Sequence, residues 1–268
     1  MRLKTLLTSL ALLAVSLVPA QADDLEAIKK KGTLVVGVKD STPPFGVLNP
    51  KTQTISGYDI DFASAIAKRL GVNILVKAVD SSERIPKLQK GEVDMIIATM
   101  TKNAEREKQV DFSYGYFITG QKFVVRKGKV NTLEDLTKAT IGTAKGSTSE
   151  KQLRKEMPNA NLVLFDDYDE AFKYLGQGKL DAVSTDEPIL AGLLNKMPNK
   201  AQFEIPNVTI SIEVYGVAVR KGEKALLQEV NNTLLDMEKS GEAEKIFDRW
   251  FGPNTSAPLM RTFRITAK

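Results

Sequence analysis

The chain has neither cysteine nor histidine among its 268 residues. Together these absences remove disulfide staples, thiol nucleophiles, imidazole bases and the commonest metal ligands. Most hydrolase and transferase site designs are excluded with them, although chemistry built on carboxylates or lysines is not. Aromatic residues are sparse, at 7% with a single tryptophan. The mild basic excess, 38 lysines and arginines against 33 acids, is spread along the chain, and no basic run is interleaved with aromatics. Nucleic acid is therefore not an expected partner. Low-complexity segments are absent, and past residue 22 no stretch is long and apolar enough to span a bilayer.

What stands at the N-terminus reads as an address. Arg2 and Lys4 form a basic n-region, residues 6–18 are a nearly unbroken apolar run, and Ala20-Gln21-Ala22 is a small-x-small cleavage site. Cleavage after Ala22 is expected, giving a mature chain that starts at Asp23 and works in a bacterial periplasm. The apolar run is short for a membrane anchor. A secreted chain without disulfides must be stabilised by its core. Residues 23–268 suffice for two modest domains or one large one.

The most informative stretch is 81–106. It reads as a short helix stopped at Gly91, an apolar strand at 95–98, and the first turn of another helix reaching Arg106. A strand that is apolar throughout is covered on both faces. Thr99, Thr101 and Arg106 follow it, at the carboxyl edge of a strand in an α/β sheet, where ligands bind. Amides at the start of the next helix favour an anion, and a guanidinium offers a carboxylate two parallel donors. Alone, such a junction reads as an N-cap threonine beside a solvated arginine. The rest of the chain changes that reading.

Upstream, residues 33–39 form an apolar strand running into Asp40-Ser41-Thr42-Pro43-Pro44-Phe45, a loop held open by two prolines. Residues 58–70 carry apolar side chains at helical spacing between Gly57 and Gly71, and 73–79 is the next strand. Strand and helix in alternation argue a parallel sheet with helices on both faces. The rhythm returns downstream. A strand at 139–144 leads to a helix with capping-box spacing from Ser147 to Glu150. A strand at 161–165 and a helix at 168–175 follow, and a strand at 182–184 runs into Thr185-Asp186-Glu187-Pro188. Residues 85–94 overlay residues 172–181 at an offset of 87, with Leu, Gly and Asp coinciding. The same offset sets Thr99 opposite Asp186. Two lobes facing across a cleft put Thr99, Thr101 and Arg106 on one wall and Thr148 and Asp186 on the other. Residues 121–126 and 214–220 read as strands carrying the chain between lobes. Lobe 2 (120–212) is then inserted into lobe 1 (23–119 and 213–268). Residues 223–251 are amphipathic helix broken at Gly241, and the basic tail from Pro253 is expected to lie irregularly along the surface.

These motifs in this order resemble the periplasmic solute-binding proteins of polar amino-acid ABC transporters, solute-binding protein family 3. The matching residues are Gly37-Val38-Lys39 through Pro44-Phe45, Gly57-Tyr58-Asp59-Ile60-Asp61, Glu105-Arg106 through Val110-Asp111-Phe112-Ser113, Gly146-Ser147-Thr148 and Asp186-Glu187-Pro188. The resemblance implies an α/β two-lobe fold of the type II periplasmic binding class. It closes by hinge bending on an L-amino acid and presents it to a membrane permease. A monomer without cofactor is expected. Arg106 is implied to grip the α-carboxylate with Thr101 and Thr148. Asp186 is implied to take the α-ammonium, with an oxygen from the Thr99 region.

Among subgroups, the glutamate/aspartate binders are the most similar, through Ser82-Glu83-Arg84-Ile85-Pro86 and residues 240–251. Thr42 stands where glutamine binders and binders of basic amino acids often carry an aromatic. Lys39 ends the first strand at the cleft edge, where binders of basic amino acids are acidic. Arg84 starts a helix, where a cation is disfavoured by the dipole. With Ser81 beside it and Tyr168 on the opposite wall, the expected ligand is an acidic L-amino acid. Alternatives are a neutral polar ligand such as glutamine, with Lys39 in solvent, and a dehydratase of the same fold using Glu83 or Glu187 as general acid. A sensory receptor is an alternative partner to the permease.

Overall fold

The computed structural model describes residues 24–267. The expected leader and its cleavage site lie outside the described residues. Helix α1 (Asp24–Lys31) precedes β1 (Thr33–Val38), and a small antiparallel sheet follows from β2 (Ser41–Thr42), β3 (Gly46–Asn49) and β4 (Thr54–Ser56). The chain continues through α2 (Tyr58–Leu70), β5 (Asn73–Ala78), α3 (Arg84–Gln89), β6 (Met95–Ile96), α4 (Ala104–Glu107) and the long β7 (Val110–Arg126). Next come β8 (Thr140–Ala144), α5 (Thr148–Glu156), β9 (Asn161–Phe165), α6 (Tyr168–Gly176), β10 (Ala182–Asp186) and α7 (Glu187–Lys196). Strands β11 (Phe203–Glu204) and β12 (Ser211–Arg220) and helices α8 (Lys224–Ser240) and α9 (Glu242–Phe251) complete it.

Local chemistry sets the element ends. Helix α2 carries Asp59 and Asp61 in its first turn and Lys68 and Arg69 in its last, as the helix dipole favours, and stops where Gly71 turns left-handed at φ 70°. Helix α5 is capped by Ser147, whose hydroxyl accepts the Glu150 N–H, while the Glu150 carboxylate reaches back to the Gly146 N–H at 2.8 Å.

The main sheet runs β5-β1-β6-β12-β7-β10-β8-β9. From either end the order is the same: three parallel strands, then an antiparallel strand that crosses between halves. Strands β7 and β12 are those crossings, paired from Val110↔Arg220 to Gln121↔Ser211. Both exceed the expected 121–126 and 214–220, because Ser113 and Glu213 break the apolar pattern yet are buried. An aromatic cluster ties the crossings to one half. Phe117 packs 4.9 Å from Phe45 and 5.0 Å from Phe251, and Tyr215 packs 5.4 Å from Phe45. The other half has its own core around Phe123, Ile141, Leu153 and Ala182. The tail from Pro253 is irregular and mostly exposed, as expected, and is anchored to the surface by the buried Ala257 and Ile265 and by the Arg261–Glu238 pair. Among the described residues no helix is long and apolar enough to cross a membrane.

Candidate functional site

The parallel strands of both halves end at one edge, and the side chains that follow those ends bound the cleft. On the first wall, Lys39 follows β1 and is 1% exposed. Its ammonium lies 3.6 Å from Asp80 Oδ1, an ion pair too long to be a hydrogen bond, and Nζ has no hydrogen-bond partner among the described residues. Burial and then the neighbouring Arg84 lower its pKa, against Asp80 and Asp40. Arg84, also buried, donates from Nε to the Ser81 carbonyl and from Nη1 to the carbonyls of Ala98 and Thr99, at 3.2, 2.8 and 3.1 Å. Those carbonyls compensate the cation that the start of α3 disfavours. The half-buried Ser81 thus enters through its backbone. Tyr168, Tyr215, Asp186 and Tyr116 lie within electrostatic reach of this guanidinium.

Thr99 sits at φ +47°, with its N–H given to Asp59. Thr101 and Thr148 meet across the cleft, hydroxyl to hydroxyl at 3.3 Å. Arg106 is buried on α4, where Asn103 caps the helix by accepting its N–H. Its Nη1 donates to the Thr101 carbonyl at 2.8 Å, and Nη2 approaches the Gly146 carbonyl from the other wall at 3.4 Å. Burial, then Arg84, pushes its guanidinium down to about 9, so it stays charged at neutral pH. On the second wall, Tyr168 opens α6 and is buried. Asp186 ends β10 at 5% exposure, its Oδ2 accepting the Tyr215 hydroxyl and its Oδ1 without a hydrogen-bond partner. Burial, then Glu213, raises its carboxyl to about 7, against the Tyr215 hydroxyl, Arg84 and Arg106. Hydrogen bonds and electrostatic contacts thus link Lys39, Ser81, Arg84, Thr99, Thr101 and Arg106 of the first half with Thr148, Tyr168 and Asp186 of the second. Among the described residues no group of three or more carboxylates is disposed to hold a metal ion.

Over residues 34–253 the chain matches the bacterial extracellular solute-binding proteins, family 3. The chain belongs to this family. It is 40% identical over 236 residues to the ABC transporter glutamine-binding protein GlnH of Bacillus subtilis (strain 168), covering 86% of this chain and 85% of that one. To the L-glutamate/L-aspartate-binding protein of Pseudomonas aeruginosa it is 33% identical over 269 residues, covering 94% and 89%. It matches an ancestral arginine-binding protein bound to glutamine with a TM-score of 0.78 at 43% identity, covering 82% of this chain and 98% of that one. The fold is the two-lobe α/β fold of periplasmic binding proteins. The expected ranking of subgroups is corrected here: the glutamine-binding relative is more similar than the glutamate/aspartate one, because short motifs weigh little against the whole chain.

Two buried polar residues of this solute-binding protein escape a reading of its sequence. Glu213 is buried on β12, its Oε1 bonded to the Ser211 hydroxyl at 2.5 Å and its Oε2 without a hydrogen-bond partner, within electrostatic reach of Asp186 and Arg106. Its signal was an acid on the inward side of an alternating strand. Gln121, fully buried, donates to Ser184 Oγ and the Ser149 carbonyl. The two glutamates considered as general acids are engaged elsewhere, Glu83 with Lys87 and Glu187 with Lys122, each at 2.9 Å.

Proposed function

We propose that this chain is the substrate-binding component of an amino-acid ABC transporter, and that its ligand is an acidic L-amino acid, glutamate or aspartate. The observation that carries the reading is Lys39. A fully buried ammonium is costly unless an anion meets it with hydrogen bonds, and Asp80 offers only a long ion pair from a half-exposed position. A ligand carboxylate beside Lys39 and Arg84 completes that pairing, with Ser81 and Tyr168 at its edges. Arg106, Thr101 and Thr148 then take the α-carboxylate, and Asp186 takes the α-ammonium with the Thr99 carbonyl.

In this reading lobe 1 comprises 23–119 and 213–268, lobe 2 comprises 120–212, and the lobes close by bending at β7 and β12. The leader is cleaved after Ala22, and the monomeric protein delivers its ligand in the periplasm to a membrane permease. Binding is favoured over catalysis, since Glu83 and Glu187 lie in ion pairs and not in the cleft's polar cluster. A second reading, a neutral ligand such as glutamine, is supported by the 40% identity to a glutamine-binding protein.

Calorimetry at moderate salt, on protein stripped of ligand by unfolding and refolding, tests the choice with glutamate, aspartate, glutamine, asparagine and arginine. Glutamate or aspartate is expected to bind most tightly. Tighter binding of glutamine or arginine than of both acids overturns the acidic reading. Lys39→Glu is expected to cost the acids about 2–5 kcal/mol and glutamine less.

A further inference from the structure

Thr99 lies where a β-branched residue is rarely found. Its φ of +47° is left-handed, a conformation that costs free energy and persists only when the surroundings impose it. The surroundings here are specific. The Thr99 N–H donates to Asp59 Oδ2 at 2.9 Å, and Arg84 holds the carbonyls of Ala98 and Thr99. Asp59 is fully buried, and its second oxygen accepts the Tyr116 hydroxyl at 2.8 Å. Tyr58, its neighbour on α2, donates to the Tyr116 carbonyl at 3.1 Å.

The turn has a consequence for the strands. Strand β6 pairs with β12 as Ile96↔Ala218, but beyond Thr99 the bridge is Thr101↔Tyr215, so two extra residues have been absorbed between them. After the turn the chain is stitched to the crossing strand by Gly216 N–H to the Met100 carbonyl and Lys102 N–H to the Val214 carbonyl, at 3.1 and 2.8 Å. That segment carries Thr101, whose hydroxyl meets Thr148 and whose carbonyl holds Arg106. A buried carboxylate is poor core material compared with an apolar side chain of its size. Its presence is explained by what it holds.

We propose that Asp59 is the positioning residue of the first wall of the ligand site: by accepting the Thr99 amide it fixes the left-handed turn that aims Thr99 and Thr101 into the cleft. Asp59 touches no ligand in this scheme and acts through Thr99. The proposal rests on the reading that the cleft binds an amino acid through Thr101 and Arg106. The charged and titratable groups around Asp59 are Arg84 of α3, Tyr58 of α2 and Tyr116 of β7. Burial raises its carboxyl to about 7.

The test is a rescue. Asp59→Ala and Asp59→Asn are made in the native chain and in Thr99→Gly, where the left-handed turn carries no penalty. Glutamate affinity is measured by calorimetry. Asp59→Ala is expected to weaken binding by about tenfold or more, the worth of a charge-assisted bond. Asparagine keeps an acceptor for the amide and is expected to stay within about threefold. In the Thr99→Gly background the alanine loss is expected to shrink to a similar size. Equal losses in both backgrounds, or native affinity in Asp59→Ala, overturn the proposal.

A second measurement needs no variant to fold. In the native whole protein, the Thr99 amide proton is expected to resonate downfield and to move as Asp59 titrates near neutral pH, read by nuclear magnetic resonance. An amide that sits at an ordinary shift and moves at no pH at which the protein stays folded also overturns the proposal. The two readings fail separately. If no amino acid binds, the Thr99 amide still follows Asp59; if the positioning role is wrong, amino acids bind while that amide is silent.

Discussion

Strands β6 and β10 occupy equivalent places in the two halves, each between a parallel neighbour and an antiparallel crossing strand. They end differently. Strand β6 lasts two residues before the chain buckles at Thr99, whereas β10 runs on to Asp186. Asp186 stands at the N-cap of α7, where its carboxylate would ordinarily accept a helix N–H, yet it makes no such cap and turns to Tyr215. One half thus offers the cleft backbone groups held from behind by Asp59 and Arg84. The other offers a carboxylate held by a crossing strand. The cations Lys39, Arg84 and Arg106 all belong to the first half, and Asp186 to the second. The repeat builds the scaffold, and the unlike strand ends supply the chemistry. An α-amino acid, negative at one end of its backbone and positive at the other, matches that polarity.

The sharpest way to break the comparison is to remove the cation at the first strand end. Arg106→Ala deletes the buried guanidinium that spans from the Thr101 carbonyl towards Gly146. Binding of any α-amino acid is expected to weaken by about 2–5 kcal/mol, the cost of leaving a buried carboxylate without its partner. Folding is expected to survive, since Arg106 borders the cleft and not the apolar core. Near-native affinity by calorimetry would remove Arg106 from the site.

Asp186→Asn tests the opposite end and is expected to cost about 1.5–3 kcal/mol, the worth of a charged hydrogen bond. The pH dependence identifies it. In the folded protein its carboxyl titrates at about 7, above its ordinary 3.8. A bound ammonium favours the ionised form and lowers that value. Below about pH 7 binding therefore releases a proton, and affinity falls as pH falls towards the value in the complex. Stability of the protein without ligand has the opposite sign. Between 3.8 and 7 the native state binds more protons than the unfolded one, so this contribution is lost as pH rises through that window. Asp59, likewise raised to about 7, adds the same slope from the first half. Calorimetry at pH 6 in two buffers of different ionisation enthalpy separates them: Asp186→Asn is expected to abolish the proton release and Asp59→Asn to retain it. Proton release retained in Asp186→Asn would assign the coupling elsewhere.

How much of this was legible depended on range along the chain. The helix at 58–70 and the strand at 161–165 have their expected bounds, because spacing and flanking glycines are local. The offset between 85–94 and 172–181 pointed to the mirrored strand order, since each segment opens the same kind of strand. Strand β6, expected at 95–98, is shorter because Thr99 must turn, and nothing near it in sequence says so. Arg84 illustrates the limit. Its sequence neighbours make it an unfavourable cation at a helix start, and the carbonyls of Ala98 and Thr99 that hold it come from another strand. The short hairpins β2 to β4 carry too few apolar residues to show a period. Tyr215 reaches Asp186 from the crossing strand, a contact visible only once β12 is known to pair with β7.

The smallest expected effect concerns how closely the halves approach, and it separates binding from folding. Gly192 lies within α7 and packs on the two-proline loop. A Cβ there would come within 2.5 Å of the Pro43 carbonyl oxygen and 2.9 Å of its carbon, and backbone cannot step aside as a side-chain tip can. Gly146 also sits close to the facing wall, at Ser82, but its φ of +74° means that a substitution there adds strain as well as bulk. Gly192 has no such complication. Within a helix, alanine is favoured over glycine by about 1 kcal/mol, so Gly192→Ala is expected to leave the melting temperature without ligand unchanged or raised. The approach of α7 to Pro43 is expected to be obstructed, at about 1–3 kcal/mol, the usual cost of overpacking. Affinity for glutamate falls while stability does not. Unchanged affinity would mean that ligand is held without this contact, and a lowered melting temperature would place the need for Gly192 inside its own lobe.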